Sequence, residues 1–195
     1  MDVACHSRRG TDSGDVIVIV MGVSGCGKTT VGELLAERLG WEFLDADVFH
    51  PASNVAKMQA GTPLGDADRV AWLAGLRKAI AARLASNRKT VLACSALREG
   101  YRRELRHAGE PIRFVYLKGD YATIHQRIAD RKSHYMPSSL LGSQFDTLEE
   151  PVDAIVVPVE LSPADAVEEI IRALGREDTE SHHAGKAASS RPDGP

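Results

Sequence analysis

The chain has 195 residues, and 24 Lys plus Arg against 27 Asp plus Glu give it a formal net charge of -3. At 43% hydrophobic and 26% charged it has the composition of an ordinary globular domain, which excludes a wholly disordered, collagenous or fibrous chain. Mild acidity and 5% aromatic residues also argue against a general nucleic-acid binder, which needs a basic face and stacking rings.

Residues 1–14 are polar where a secretory signal needs an apolar centre, so they read as a disordered tail and not as an export signal. The longest apolar run, VIVIVM at 16–21, is β-branched and bounded by turn residues, as a buried strand should be. It is far too short for a membrane helix, which needs roughly 20 residues. Three cysteines without metal-ligand spacing give no disulfide framework and fit a reducing cytoplasm.

Beyond that strand, short apolar runs alternate with helical patterns, which predicts a parallel sheet flanked by helices. Further strands are expected at 43–46, 90–94, 113–117 and 154–157. Helices are expected at 29–39, 54–60, 67–84, 99–107, 121–130, 138–145 and 163–174. Ser162 should cap the last helix, with Pro163 at its first position and Gly175 as its stop. Residues 176–195 read as a second disordered tail, in which His182 and His183 are a solvated pair and not a metal site.

Directly after the first strand, Gly22-Val-Ser-Gly-Cys-Gly-Lys-Thr29 fits G-x-x-x-x-G-K-[ST] without mismatch. Such a loop wraps closely around phosphate oxygens and directs successive amide hydrogens at them from a helix N-terminus. The nucleotide-binding set is therefore Gly22, Val23, Ser24, Gly25, Cys26, Gly27, Lys28, Thr29 and Thr30, with Lys28 reaching the β- and γ-phosphates of ATP. The Thr29 hydroxyl is a ligand for Mg²⁺. Cys26 reads as a small filler and Cys94 as a buried residue at a strand end.

The second strand ends in Asp45-Ala46-Asp47, and alternation along an extended chain points both carboxylates to the same side. Strand C-termini are where open α/β sheets bind ligands, so one aspartate can serve Mg²⁺ while the other takes the proton of an attacking hydroxyl. The competing reading makes one of them a helix cap. Arg127 and Arg131, four apart on one helical face and followed by a polar stretch, can cover the transferring phosphate as a lid. A solvated basic face has the same spacing.

The segment DADVFHPASNVAKMQAGTPLGDADRVAWL at 45–73 resembles the acceptor-binding region of the gluconokinase family, small phosphate-loop kinases of gluconate. CSALREGYRRELR at 94–106, FVYLKG at 114–119, His134 and LLGSQFDTLEEP at 140–151 continue the likeness, which covers about 16–174. Arg98 stands where the family usually has Lys, and Arg103 where it often has Asp.

This resemblance implies an α/β, three-layer P-loop kinase fold with a five-stranded parallel sheet in the order 2-3-1-4-5 and a small lid. The kinase domain would span 15–175, with the lid at about 131–138. It implies transfer from ATP to the 6-hydroxyl of D-gluconate in a cytoplasmic enzyme, without nucleic-acid or membrane partners, and suggests a homodimer. The turn at 158–162 would pack against adenine. Lys28, Asp47, Arg127 and Arg131 are then the catalytic set, and Thr29 and Asp45 the metal ligands. Asp47, His50, Lys57, Arg69, Ser95 and Arg102 are the acceptor candidates, with Arg69 suited to gripping a carboxylate. Alternatives remain for single residues: Arg69 in a salt bridge to Asp66 or Asp68, Ser95 as a cap, and Trp72 and Met58 as core. Two other functions compete: another small-molecule kinase, acting on shikimate or a nucleoside monophosphate, and a nucleotide-binding regulatory module without catalysis.

Overall fold

The structure, a computed structural model, describes residues 17–130 and 138–187, with side chains at 17–130 and 140–175. The expected N-terminal tail at 1–14 and nearly all of the expected lid lie outside the described residues.

In chain order the elements are β1 (Ile17–Met21), α1 (Lys28–Leu39), β2 (Glu42–Asp45), a 3-10 turn (Ala46–Phe49), α2 (Ala52–Gln59), α3 (Asp66–Ala85), β3 (Thr90–Ala93), α4 (Glu99–Leu105), β4 (Ile112–Lys118), α5 (Tyr121–Ala129), α6 (Ser138–Thr147), β5 (Ile155–Pro158) and α7 (Pro163–Ala187). The five strands pair in parallel in the order β2-β3-β1-β4-β5, as expected. Parallel neighbours need a crossover, and each αβ connection supplies one.

Strand β1 is buried throughout because helices cover both of its faces. Val18 and Val20 pack with Val31 and Leu35 of α1 and with Val167 and Ile170 of α7. Ile17, Ile19 and Met21 point the other way, toward Trp72, Leu76 and Ile80 of α3 and Leu105 of α4. The period of two along β1 thus divides one apolar run between two cores. From β1 the chain crosses to the edge strand β2 and returns to β3 beside β1, then continues on the other side of β1 to β4 and β5. That reversal places a ligand crevice at the C-terminal end of β1.

Two expectations change. Gly175 does not stop the last helix: α7 passes through it to Ala187, so the tail expected at 176–195 is helical over much of its length. One interior glycine costs a helix only about 1 kcal/mol, and the residues that follow include Arg, Glu, Lys and Ala, all good helix formers. Strand β2 ends at Asp45, because the chain turns into the 3-10 segment at Ala46.

Candidate active site

The loop between β1 and α1 turns on three glycines with positive φ: Gly22 at 142°, Gly25 at 86° and Gly27 at 102°. L-residues with side chains rarely adopt these angles. Space is short as well. A Cβ on Gly22 would lie 2.8 Å from Cys26 Sγ, and one on Gly25 2.6 Å from the Ile128 side chain of α5. Gly27 is the N-cap of α1, so the positive end of that helix opens into the loop. The Lys28 ammonium folds back over the loop and donates to the Val23 carbonyl at 3.0 Å. Cys26 is buried, and burial pushes its thiol up despite the nearby Lys28 charge. A neutral thiol packed under Gly22 is a filler and not a reactive thiolate.

The ends of the neighbouring strands complete this side. Thr29 and Asp45 meet, with the Thr29 hydroxyl donating to Asp45 Oδ2 at 3.3 Å. Asp45 Oδ1 accepts the Asp47 amide at 2.9 Å, so Asp45 also caps the 3-10 turn. The two aspartates are therefore related by a cap and not by strand alternation, which corrects the expected geometry. Gly22 donates its amide to the Ser95 carbonyl, which brings the residues after β3 against the phosphate loop.

On the acceptor side, Asp47 is exposed and lies 4.0 Å from Nε2 of the nearly buried His50 ring. That ring stacks on Trp72, with centroids 4.9 Å apart. Trp72 is core, as expected, and its Nε1 donates to the Ala46 carbonyl at 2.8 Å. Burial holds the His50 imidazole below its usual range, with Arg69 adding to the effect and Asp47 opposing it. Arg69 donates to the Leu64 carbonyl at 2.6 Å and reaches the Tyr101 hydroxyl at 3.4 Å. Its alternative role as a salt bridge is not what is found: Asp66 pairs with Arg98, and Asp68 with Lys57.

Three expected site residues are engaged elsewhere. Lys57 bonds Asp68 at 2.6 Å. Arg127 donates to the Val159 carbonyl, although its charge is still felt at Cys26 in the loop. Arg102 is the clearest correction. It is 3% exposed, and its guanidinium donates to the carbonyls of Ala96 and Leu97, at 3.0 and 3.1 Å, and to Glu99. Ala96 has φ 43°, a left-handed conformation for a non-glycine residue. Arg102 thus clamps a strained loop from beneath and does not face an acceptor. Arg131 and His134 lie outside the described residues.

Gln144 of α6 received no role from the sequence, yet it grips the phosphate loop. Its Oε1 accepts the Ser24 amide at 2.6 Å and its Nε2 donates to Ser24 Oγ at 2.9 Å. Asn54, to which the sequence likewise assigns no role, is buried and donates to the Asp68 carbonyl at 2.7 Å, joining α2 to α3. A groove of about 540 Å³ at the C-terminal ends of β4 and β5 is lined by Tyr116, Tyr121, Phe145, Val156 and Pro158 among others. It touches the turn expected to meet adenine, at Pro158 and Glu160, but no phosphate-loop residue lines it.

A family model described as an AAA domain matches residues 17–154. A gluconokinase from Gluconobacter oxydans is 45% identical over 164 residues, which are 83% of this chain and 92% of that protein. The crystal structure of a gluconokinase from Sinorhizobium meliloti superposes with a TM-score of 0.78 at 40% identity, covering 88% of this chain and 97% of the other. Shikimate kinase from Acinetobacter baumannii, at 21% identity and a TM-score of 0.51 over 83% of this chain and 94% of its own, shares the fold. The chain belongs to the gluconokinase family.

Replacing Arg102 with Met should destabilise the protein by about 3 kcal/mol, because two buried carbonyls lose a charged donor. Chemical denaturation checks this, and an unchanged midpoint would contradict it. His50, held below its usual value when folded, titrates near 6.5 when unfolded, so the unfolded chain binds more protons as the pH falls. Its contribution is complete above about pH 6.5 and shrinks below it. Denaturation at pH 7.5 and 5.5 should show a smaller loss on acidification for His50→Gln than for the unaltered protein; equal losses would contradict this account of His50.

Proposed function

We propose that this chain transfers the γ-phosphoryl group of ATP to the 6-hydroxyl of D-gluconate, giving ADP and 6-phospho-D-gluconate. The observation that carries this reading is the convergence of two sets of groups at the strand ends: the phosphate loop with its Thr29–Asp45 pair, and Asp47, His50 and Arg69 beside it. Sequence identity of 40–45% to gluconokinases over most of the chain supports the choice of acceptor.

In this mechanism the loop amides and Lys28 hold the β- and γ-phosphates of ATP. The donor set at Thr29 and Asp45 consists of hard oxygens within hydrogen-bonding reach of each other, which suits Mg²⁺. When bound, Mg²⁺ supplies neutralisation of charge on the β- and γ-phosphates. With Asp45 given to the metal beside Thr29 and capping the turn, the exposed Asp47 carboxylate is left for the acceptor. Asp47 orients the 6-hydroxyl and takes its proton as the new P–O bond forms and the bond to the ADP oxygen breaks.

His50, Arg69 and Ser95 then line the acceptor side. Arg127 joins the phosphates only after its guanidinium leaves the Val159 carbonyl, and Arg131 would act with it from a lid near 131–138. We read the enzyme as cytoplasmic and as a homodimer whose kinase domain lies within 15–175. Among the described residues no helix is long and apolar enough to cross a membrane.

Release of ADP from Mg-ATP should require D-gluconate, with little release for shikimate, a nucleoside monophosphate or no acceptor. Lys28→Met should lower turnover by about a thousandfold or more while the melting temperature stays near that of the unaltered protein. Turnover within a few-fold of normal would overturn the role of Lys28; release with a different acceptor would overturn the gluconate assignment.

A further inference from the structure

The first turn of α3 and the start of α4 meet in a cluster built around a carboxylate. Arg98, the N-cap residue of α4, directs Nη1 at both oxygens of Asp66, at 2.9 and 2.7 Å. The Tyr101 hydroxyl, one turn further along α4, donates to Asp66 Oδ1 at 2.5 Å. The guanidinium carbons of Arg69 and Arg98 lie 5.5 and 5.9 Å from the centroid of the Tyr101 ring, so the ring brings two cations to one place. These contacts, the Tyr101 bond foremost, hold the Asp66 carboxyl below the usual carboxylate range.

Two features set this cluster apart from an ordinary surface ion pair. Its charge does not balance: among the described residues Arg69 hydrogen-bonds the neutral Leu64 carbonyl and Tyr101 hydroxyl, while Asp68, although close enough to feel the Arg69 charge, is bonded to Lys57 and to the Gly65 amide. Two guanidinium groups therefore share one carboxylate. The scaffold beneath is also rigid, since buried Arg102 clamps the Ala96–Leu97 carbonyls immediately before Arg98. Asp66 itself is 65% exposed and free of the core, so releasing it costs the fold little.

We propose that Arg98, the Tyr101 hydroxyl and Arg69 form the subsite for the carboxylate of the acceptor, and that Asp66 is an internal carboxylate which the acceptor displaces. The inference rests on the reading of gluconate as acceptor. The groups are linked neighbour to neighbour: Asp47 lies beside His50, Arg69 is near enough for its charge to act on His50, and Arg69 reaches Tyr101. A linear six-carbon sugar acid carries its reactive hydroxyl and its carboxylate at opposite ends, and this series of neighbours begins with a proton acceptor and ends with a carboxylate clamp. Two cations and a hydroxyl donor favour an oxyacid over the uncharged polyol of the same length.

The test is steady-state ADP release at saturating Mg-ATP with D-gluconate or D-glucitol varied, for the unaltered protein and for Arg98→Gln, Arg98→Lys, Tyr101→Phe and Asp66→Asn. Arg98→Gln should raise KM for gluconate about tenfold or more with kcat little changed, and Arg98→Lys should recover most of that loss. Asp66→Asn should lower KM for gluconate, because a competitor is gone. Preference for gluconate over glucitol should fall in Arg98→Gln and Tyr101→Phe. If Asp66→Asn and Arg98→Gln raise KM alike, the pair is a structural clasp and the proposal is overturned; an unchanged KM in Arg98→Gln overturns it as well. Failure of the gluconate reading looks different: the unaltered protein itself would then turn over another acceptor and not gluconate, and the subsite would fall with it.

Discussion

The backbone between β1 and α1 is the constraint on which the nucleotide side depends. Positive φ at Gly22, Gly25 and Gly27 lets the chain reverse within a few residues of the central strand and enter a helix with its amides facing inward. The surroundings are built to that turn. Cys26 fills the space beneath Gly22, Ile128 of α5 lies where a side chain at Gly25 would go, and the Ser95 carbonyl receives the Gly22 amide. A strand buried on both faces by two separate apolar cores holds the loop in place.

The acceptor side rests on a different device. After β3 the chain passes through a left-handed alanine, and the buried guanidinium of Arg102 holds that conformation by its carbonyls. This fixes Ser95 toward the phosphate loop and Arg98 toward α3. The acceptor segment from the 3-10 turn to α3 is tied down by Trp72 on the Ala46 carbonyl and by Asn54 on the Asp68 carbonyl. Polar side chains bonded to backbone carbonyls thus set the shape of the site, while the carboxylates and cations near it remain accessible.

Much of this was legible in the sequence because it follows from local rules. The five strands are short apolar runs between turn residues, and their order is the one that the family resemblance implies. The phosphate loop was readable because its glycines, lysine and threonine have fixed spacing. What escaped depends on contacts between residues distant in the chain. Nothing local distinguishes Arg102, which turns inward, from Arg103, which is exposed and pairs with Glu99. Gln144 meets Ser24 from 120 positions away. Asp45 ends its strand, but the turn that carries Asp47 begins at Ala46, one residue earlier than alternation assumes. The helix α7 runs past Gly175 because a glycine weakens a helix without always terminating it.

In the proposed reaction one oxygen, at the far end of a sugar acid from its carboxylate, attacks the γ-phosphate in this site. Phosphorus and proton NMR of the product formed from D-gluconate and Mg-ATP tests this most directly, since coupling of phosphorus to the attached methylene protons identifies the esterified carbon. The expected product is a single phosphomonoester on carbon 6. Phosphate on another carbon, or inorganic phosphate in place of an ester, would contradict it.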